Sequence, residues 1–139
     1  MRYVLDTNAV SALMRGDAAT VTRLAAEPRT AVLVPQPVLA EISYGIARLR
    51  ASKRRRMLED AFARLALVLP RAPWTDDVSQ RFAETKAVLE RRGIRLEDFD
   101  VAIAAHALAL DAVLVSSNLQ HMRRVPDLSC EDWAHPSTR

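Results

Sequence analysis

Short apolar runs of strand length alternate along this chain with longer segments in which apolar residues return every three or four positions. The first run predicts a strand over residues 2–5 that delivers Asp6 to its C-terminal end, just before a helix signal in Thr7 or Asn8. Residues 9–14 read as a short helix stopped by Gly16, and Asp17 opens a second helix that reaches about Glu27 before Pro28 closes it. Residues 31–34 form a second strand bounded by Pro35. Pro37 suits a first helical turn, and Val38, Ile42, Ile46 and Leu49 follow at helical spacing, with Glu41 in the second turn.

The basic run 53–56 opens a helix over 57–66, and 67–69 reads as a third strand ended by Pro70. Thr75 caps a helix whose first turn holds Asp76 and Asp77 and whose end carries Arg91, Arg92 and Gly93, all favourable to the helix dipole and stop. Its buried stripe is Val78, Phe82, Thr85 and Leu89. A helix over 99–110, a fourth strand over 112–115, one or two turns over 118–124 and an extended piece near 128–130 complete the reading, before a polar tail at about 134–139. The alternation predicts an α/β fold: a single domain over 1–139 with a mostly parallel sheet of about four or five strands and helices on both faces.

Composition narrows the class. A chain of 139 residues, half of them hydrophobic, can bury its core without staples, and its only cysteine, Cys130, excludes an internal disulfide and suits a reducing cytosol. Asp6, Asn8 and Arg15 interrupt any N-terminal signal run, and the longest apolar stretch, 101–115, contains His106 and Asp111 and is too short to span a bilayer. The expectation is a soluble, cytoplasmic protein with no membrane partner. Twenty Lys plus Arg against seventeen Asp plus Glu leave +3, which permits a polyanionic partner without demanding one.

Three carboxylates stand out by position. Asp6 ends the first strand, Glu41 lies in the helix after the second, and Asp100 lies in the first turn of the helix before the fourth. In a parallel sheet, strand C-termini and the N-termini of the following helices share one edge, so Asp6 and Glu41 converge there; Asp100 precedes its strand and is not placed by this argument. Carboxylates gathered in one cleft repel one another unless a cation neutralises them, and Mg²⁺ or Mn²⁺ matches oxygen ligands. His106, His121, His135 and Cys130 have no zinc spacing, and three glycines make no phosphate loop.

Each residue also has a structural reading: Asp6 as a helix N-cap, Glu41 as an exposed helical residue, Asp98 or Asp100 as the cap of its helix. The basic stretch 48–56, with Arg50, Lys53 and Arg54 as candidate RNA contacts, also fits a solvated helix junction. Val101, Ala104, Ala105 and Leu108 read as core, His106 as packed or solvent-facing, and Met14, Met57 and Met122 as core or partner-groove filling.

Four segments in order, Val4-Leu5-Asp6-Thr7-Asn8, Leu39-Ala40-Glu41-Ile42-Ser43-Tyr44-Gly45, residues 100–108 from Asp100 to Leu108, and residues 115–122 from Val115 to Met122, resemble the motifs of PIN-domain ribonucleases, in particular VapC-type toxins of bacterial toxin-antitoxin modules. The resemblance covers essentially the whole chain. It implies a PIN-like parallel sheet, Asp6, Glu41 and Asp100 around Mg²⁺ or Mn²⁺, endoribonuclease activity on an RNA substrate of the tRNA or rRNA class, a homodimer, and a cognate antitoxin that neutralises the toxin. On that basis Asp6 and Asp100 are the principal metal ligands, Glu41 is a further ligand or water-positioning group, and Asn8, Ser116 and Asn118 support or position substrate. Two departures stand out: Asn118 occupies a place where the family often has an acid, which weakens a second metal site, and Met122 stands where an aromatic is common.

Two other functions fit parts of the pattern. A catalytically weak module that binds RNA and an antitoxin, with a regulatory role, would tolerate Asn118. A phosphatase of the haloacid-dehalogenase kind would use Asp6 as nucleophile, but needs a second Asp where this chain has Asn8.

Overall fold

The structure, a computed structural model, describes residues 1–136. Of the expected polar tail, residues 137–139 lie outside the described residues. The chain order is β1 (Tyr3–Leu5), α1 (Thr7–Arg15), α2 (Ala18–Ala25), a 3₁₀ turn (Arg29–Ala31), β2 (Val32–Pro35), α3 (Gln36–Ala47), α4 (Lys53–Val68), β3 (Arg71–Ala72), α5 (Asp76–Arg91), α6 (Asp98–Ala109), β4 (Val113–Val115), α7 (Leu119–Met122) and β5 (Cys130–Glu131).

Local chemistry sets most of these boundaries. Gly16 adopts φ 74°, a left-handed conformation that ends α1 at no steric cost, and Asp17 opens α2 by accepting from the Thr20 N–H at 3.1 Å. Ser52 and Thr75 cap α4 and α5 through their hydroxyls. Ser52 starts α4 at Lys53, so the basic run forms its first turn.

All strand pairs are parallel, and the order across the sheet is β3-β2-β1-β4-β5. Tyr3 stands opposite Val32 on one side and Val113 on the other, which centres β1 and buries it completely. Such a strand must be apolar on both faces, as Tyr-Val-Leu is. Helices α1–α4 lie in the connections from β1 through β2 to β3, and α5–α7 in those from β3 through β4 to β5. The larger core cluster includes β1, β2 and β4 with Val10, Val38, Ile42 and Ile103; a smaller one joins Leu89 of α5, Val101 and Ala104 of α6, and Val125. Among the described residues, no helix is long and apolar enough to cross a membrane.

Three expectations are corrected. The third strand is not 67–69: α4 runs through Val68, the Leu69 N–H still bonds the Leu65 carbonyl at 3.0 Å, and Arg71–Ala72 pairs with Val34 and Pro35 instead. Three apolar residues carry no period, and here they are the last turn of a helix that buries Leu69 and leaves Leu67 exposed. Neither Asp98 nor Asp100 caps α6, because Glu97 holds the N-cap position and Asp98 pairs with Lys86 at 2.9 Å. Met57 is 61% exposed, which removes the core reading for it and leaves the partner-groove one, whereas Met122 is fully buried.

Candidate active site

The connection from β1 runs to β2 on one side of the sheet, whereas that from β4, the other neighbour of β1, runs to β5 on the opposite side. The crevice beyond the C-terminal ends of two such strands is where open α/β sheets bind ligands. Asp6 follows β1 and Ser116 follows β4, and the Asp6 N–H bonds the Val115 carbonyl at 3.0 Å, which locks the two strand ends together.

Asp6 is buried and caps α1: its Oδ1 accepts from the Ala9 N–H at 2.8 Å. The cap uses one of two carboxylate oxygens, so capping and ligation are compatible. Glu41 reaches the site from α3, where its Oε1 accepts from the Thr7 hydroxyl at 2.5 Å. Asp100 arrives because only residues 110–112 join α6 to β4, so α6 must end near the start of β4 and begin at the opposite, C-terminal edge. Asp6, Thr7, Asn8, Glu41, Asp100, Asn118 and Met122 line one pocket of about 140 Å³.

The electrostatics match a crowded acidic site. Burial pushes the Asp6 carboxyl above the ordinary carboxylate range, with Asp100 and Glu41 adding repulsion against the relief given by Ser116 and the Ala9 N–H. Burial also raises Asp100, as do the charges of Glu41 and Glu97, while His121 acts the other way.

The donor set is made of oxygen alone and is strongly negative, which fits a hard divalent cation. Among the described residues, no three His, Cys, Asp or Glu side chains close on one point tightly enough to hold an ion unaided. Such an open arrangement suits Mg²⁺, which keeps several waters and takes one or two carboxylates.

The remaining sequence candidates divide. Asn8 and Asn118 line the acidic pocket, while Ser116 lies behind it, 1% exposed, its Oγ accepting from the Asn118 N–H at 2.9 Å. Arg50, Lys53 and Arg54 are exposed around the α3–α4 link and do not line the acidic pocket. His106 is buried in α6: its Nδ1–H donates to the Ala102 carbonyl at 2.7 Å, and Trp74 packs edge-on against the ring. Two site residues escaped the sequence reading. Thr7 holds Glu41, and His121, one helical turn beyond Asn118, has its Nδ1 2.6 Å from the Asn118 Oδ1. The i, i+3 spacing of Asn118 and His121 was the one signal available for the second.

Comparison with known proteins places this geometry. Ribonuclease VapC2 of Rickettsia felis is 28% identical over 136 residues, covering 96% of this chain and 98% of that one. The tRNA(fMet)-specific endonuclease VapC of Salmonella typhimurium is 23% identical over 133 residues, covering 96% of this chain and 98% of its own. The crystal structure of VapBC2 from Rickettsia felis bound to a promoter DNA fragment superposes with a TM-score of 0.85 at 26% identity, covering 96% of this chain and 99% of that one. The PIN domain family pattern matches residues 3–128, a span that runs from β1 past α7 and includes every residue of the acidic pocket. With its parallel sheet and an acidic pocket at the switch point, the chain belongs to the PIN domain family.

Proposed function

We propose that this protein is a Mg²⁺- or Mn²⁺-dependent endoribonuclease toxin that works in the cytoplasm and is neutralised by a cognate antitoxin. The observation that carries the reading is the convergence of Asp6, Glu41 and Asp100, from three separate elements, on one pocket at the switch point of the sheet. The names of the relatives supply the substrate class, and their pairing in VapBC complexes supplies the partner. The motif resemblance adds the expectation of a homodimer.

Asp6 and Asp100 are the residues that would hold the cation, with Glu41 as a further ligand or the group that orients water. A divalent cation in such a site supplies Lewis-acid polarisation of a phosphodiester and a nucleophilic water near neutral pH. The chain's own residues do the rest. The α1 N-terminus and Ser116 fix the Asp6 carboxylate, and Thr7 holds one oxygen of Glu41 so that Oε2 is the one available to a water proton. Asn8 and Asn118 offer amide groups to the substrate at the rim. Arg50, Lys53 and Arg54 lie apart from the acidic pocket and serve, in this reading, as distant contacts to RNA phosphates.

The test is cleavage of a structured RNA by purified protein with Mg²⁺ or Mn²⁺, compared with EDTA and with Asp6→Asn and Asp100→Asn. The expected result is cutting that needs the metal and falls by about 10²-fold or more in each variant, the scale of losing charge stabilisation in an active site. Cutting that persists in excess EDTA or in both variants would sink the assignment. RNA binding without cutting in the unaltered protein would favour the regulatory module instead.

A further inference from the structure

We propose that Asn118 serves the RNA phosphate as a hydrogen-bond donor rather than the metal as a ligand, and that His121 is the positioning residue that turns its amide that way. The proposal rests on the nuclease reading above. Its starting point is the 2.6 Å contact between His121 Nδ1 and Asn118 Oδ1. An amide oxygen can only accept, so the ring nitrogen carries the hydrogen. That commits the oxygen of Asn118 to an electropositive neighbour, and a cation at the same oxygen would sit against the imidazole N–H. The amide nitrogen keeps two hydrogens, with no bond to either among the described residues.

The backbone fixes the pair. Asn118 occupies the N-cap position of α7, its N–H donates to Ser116 Oγ at 2.9 Å, and the single turn Leu119–Met122 sets His121 above it. The backbone at Asn118 is thereby tied to the buried Ser116, and the His121 contact orients the amide.

Its place in the molecule says what the free donor meets. Asn118 and Asp100 line both the acidic pocket and a larger groove of about 530 Å³ beside it. Lys86 and Arg95 line that groove together with the acids Glu90, Glu97 and Asp98, Lys86 being paired with Asp98 at 2.9 Å, and His121 and the apolar Ile94 line it too. The two cavities are contiguous through Asp100 and Asn118, so an RNA strand with a phosphate at the carboxylates and its next nucleotide in the groove passes Asn118 at the junction. The non-bridging oxygens of a phosphodiester only accept hydrogen bonds. An amide NH₂ matches them, whereas a carboxylate at 118 would repel them.

The experiment measures Mn²⁺ affinity and RNA cleavage side by side in the unaltered protein, Asn118→Ala, Asn118→Asp, His121→Ala and the Asn118→Ala/His121→Ala double variant, with Asp100→Asn as the ligand control. The expected pattern has three parts. Asn118→Ala and His121→Ala bind Mn²⁺ within about twofold of the unaltered protein but lose about tenfold in kcat/KM, the scale of one hydrogen bond to a charged group. The double variant loses no more than either single change, because His121 acts through Asn118. Asn118→Asp binds Mn²⁺ more tightly while its KM for RNA rises. A drop in Mn²⁺ affinity for Asn118→Ala as large as that for Asp100→Asn would overturn the proposal, as would additive losses in the double variant. If the unaltered protein cuts no RNA, the nuclease reading fails, and the Mn²⁺ titrations still decide whether Asn118 is a ligand.

Discussion

The hydroxyl of Thr7 donates to Oε1 of Glu41 at 2.5 Å, a bond that joins the first residue of α1 to the second turn of α3 across 34 positions of sequence. Thr7 is thereby the residue that decides where the third carboxylate stands. Thr7→Val keeps the shape and removes the donor, so kcat/KM is expected to fall about tenfold, the scale of one lost hydrogen bond, while thermal stability changes little. Thr7→Ser is expected to restore most of the activity. Equal activity in Thr7→Val and the unaltered protein, measured with the same RNA and Mn²⁺, would remove Thr7 from the site.

Asp6 caps α1 and, in the proposed function, also holds the cation, and substitution can separate the two. Asn is as good an N-cap as Asp, so Asp6→Asn keeps the bond to the Ala9 N–H while losing the charge. Asp6→Ala loses both and is expected to unfold more easily than Asp6→Asn by about 1 kcal/mol. Both variants should be equally inactive. Denaturant melts of the two metal-free proteins check the difference, and coincident melts would mean that the cap contributes nothing.

His106 makes stability depend on pH. Burial lowers the pKa of its ring below the ordinary 6.5, against the relief offered by the Ala102 and Pro73 carbonyls. A base depressed in the folded state binds a proton in the unfolded chain first. The contribution is therefore fully present above pH 6.5 and is lost as pH falls below it. His106→Leu removes the titrating group at similar volume. The stability of the unaltered protein relative to this variant should decline between pH 7 and pH 5.5, by at most roughly 1.4 kcal/mol per pH unit. Parallel melting curves for both proteins across that range would show that the ring does not titrate on unfolding.

Much of this site is readable without coordinates. Tyr-Val-Leu followed by Asp is a strand that ends on a carboxylate, and Pro37 with the apolar spacing of Val38, Ile42 and Ile46 places Glu41 one turn into a helix at the same edge. Asp100 could have been placed too. Three residues between α6 and β4 leave that helix no choice of direction, but the argument requires α6 and β4 to be recognised as a crossover pair. The misplaced third strand has the opposite cause: residues 67–69 are too few to show a period, and only pairing with Val34 and Pro35 distinguishes Arg71–Ala72 as the strand.

By itself, then, the sequence determined the alternation of strands and helices, the parallel character of the sheet and the candidacy of the acids, because hydrophobic period, capping chemistry and chain reversal act over a few residues. Only the tertiary structure decided that Asp100 and Asn118 share a pocket with Asp6, that Thr7 holds Glu41, and that the Arg50 to Arg54 cluster lies apart from the acidic pocket. Those relationships join residues far apart in the chain, or depend on which oxygen of a side chain is already engaged. They are set by how α3, α6 and α7 pack around one end of β1 and β4, and no local pattern encodes that packing.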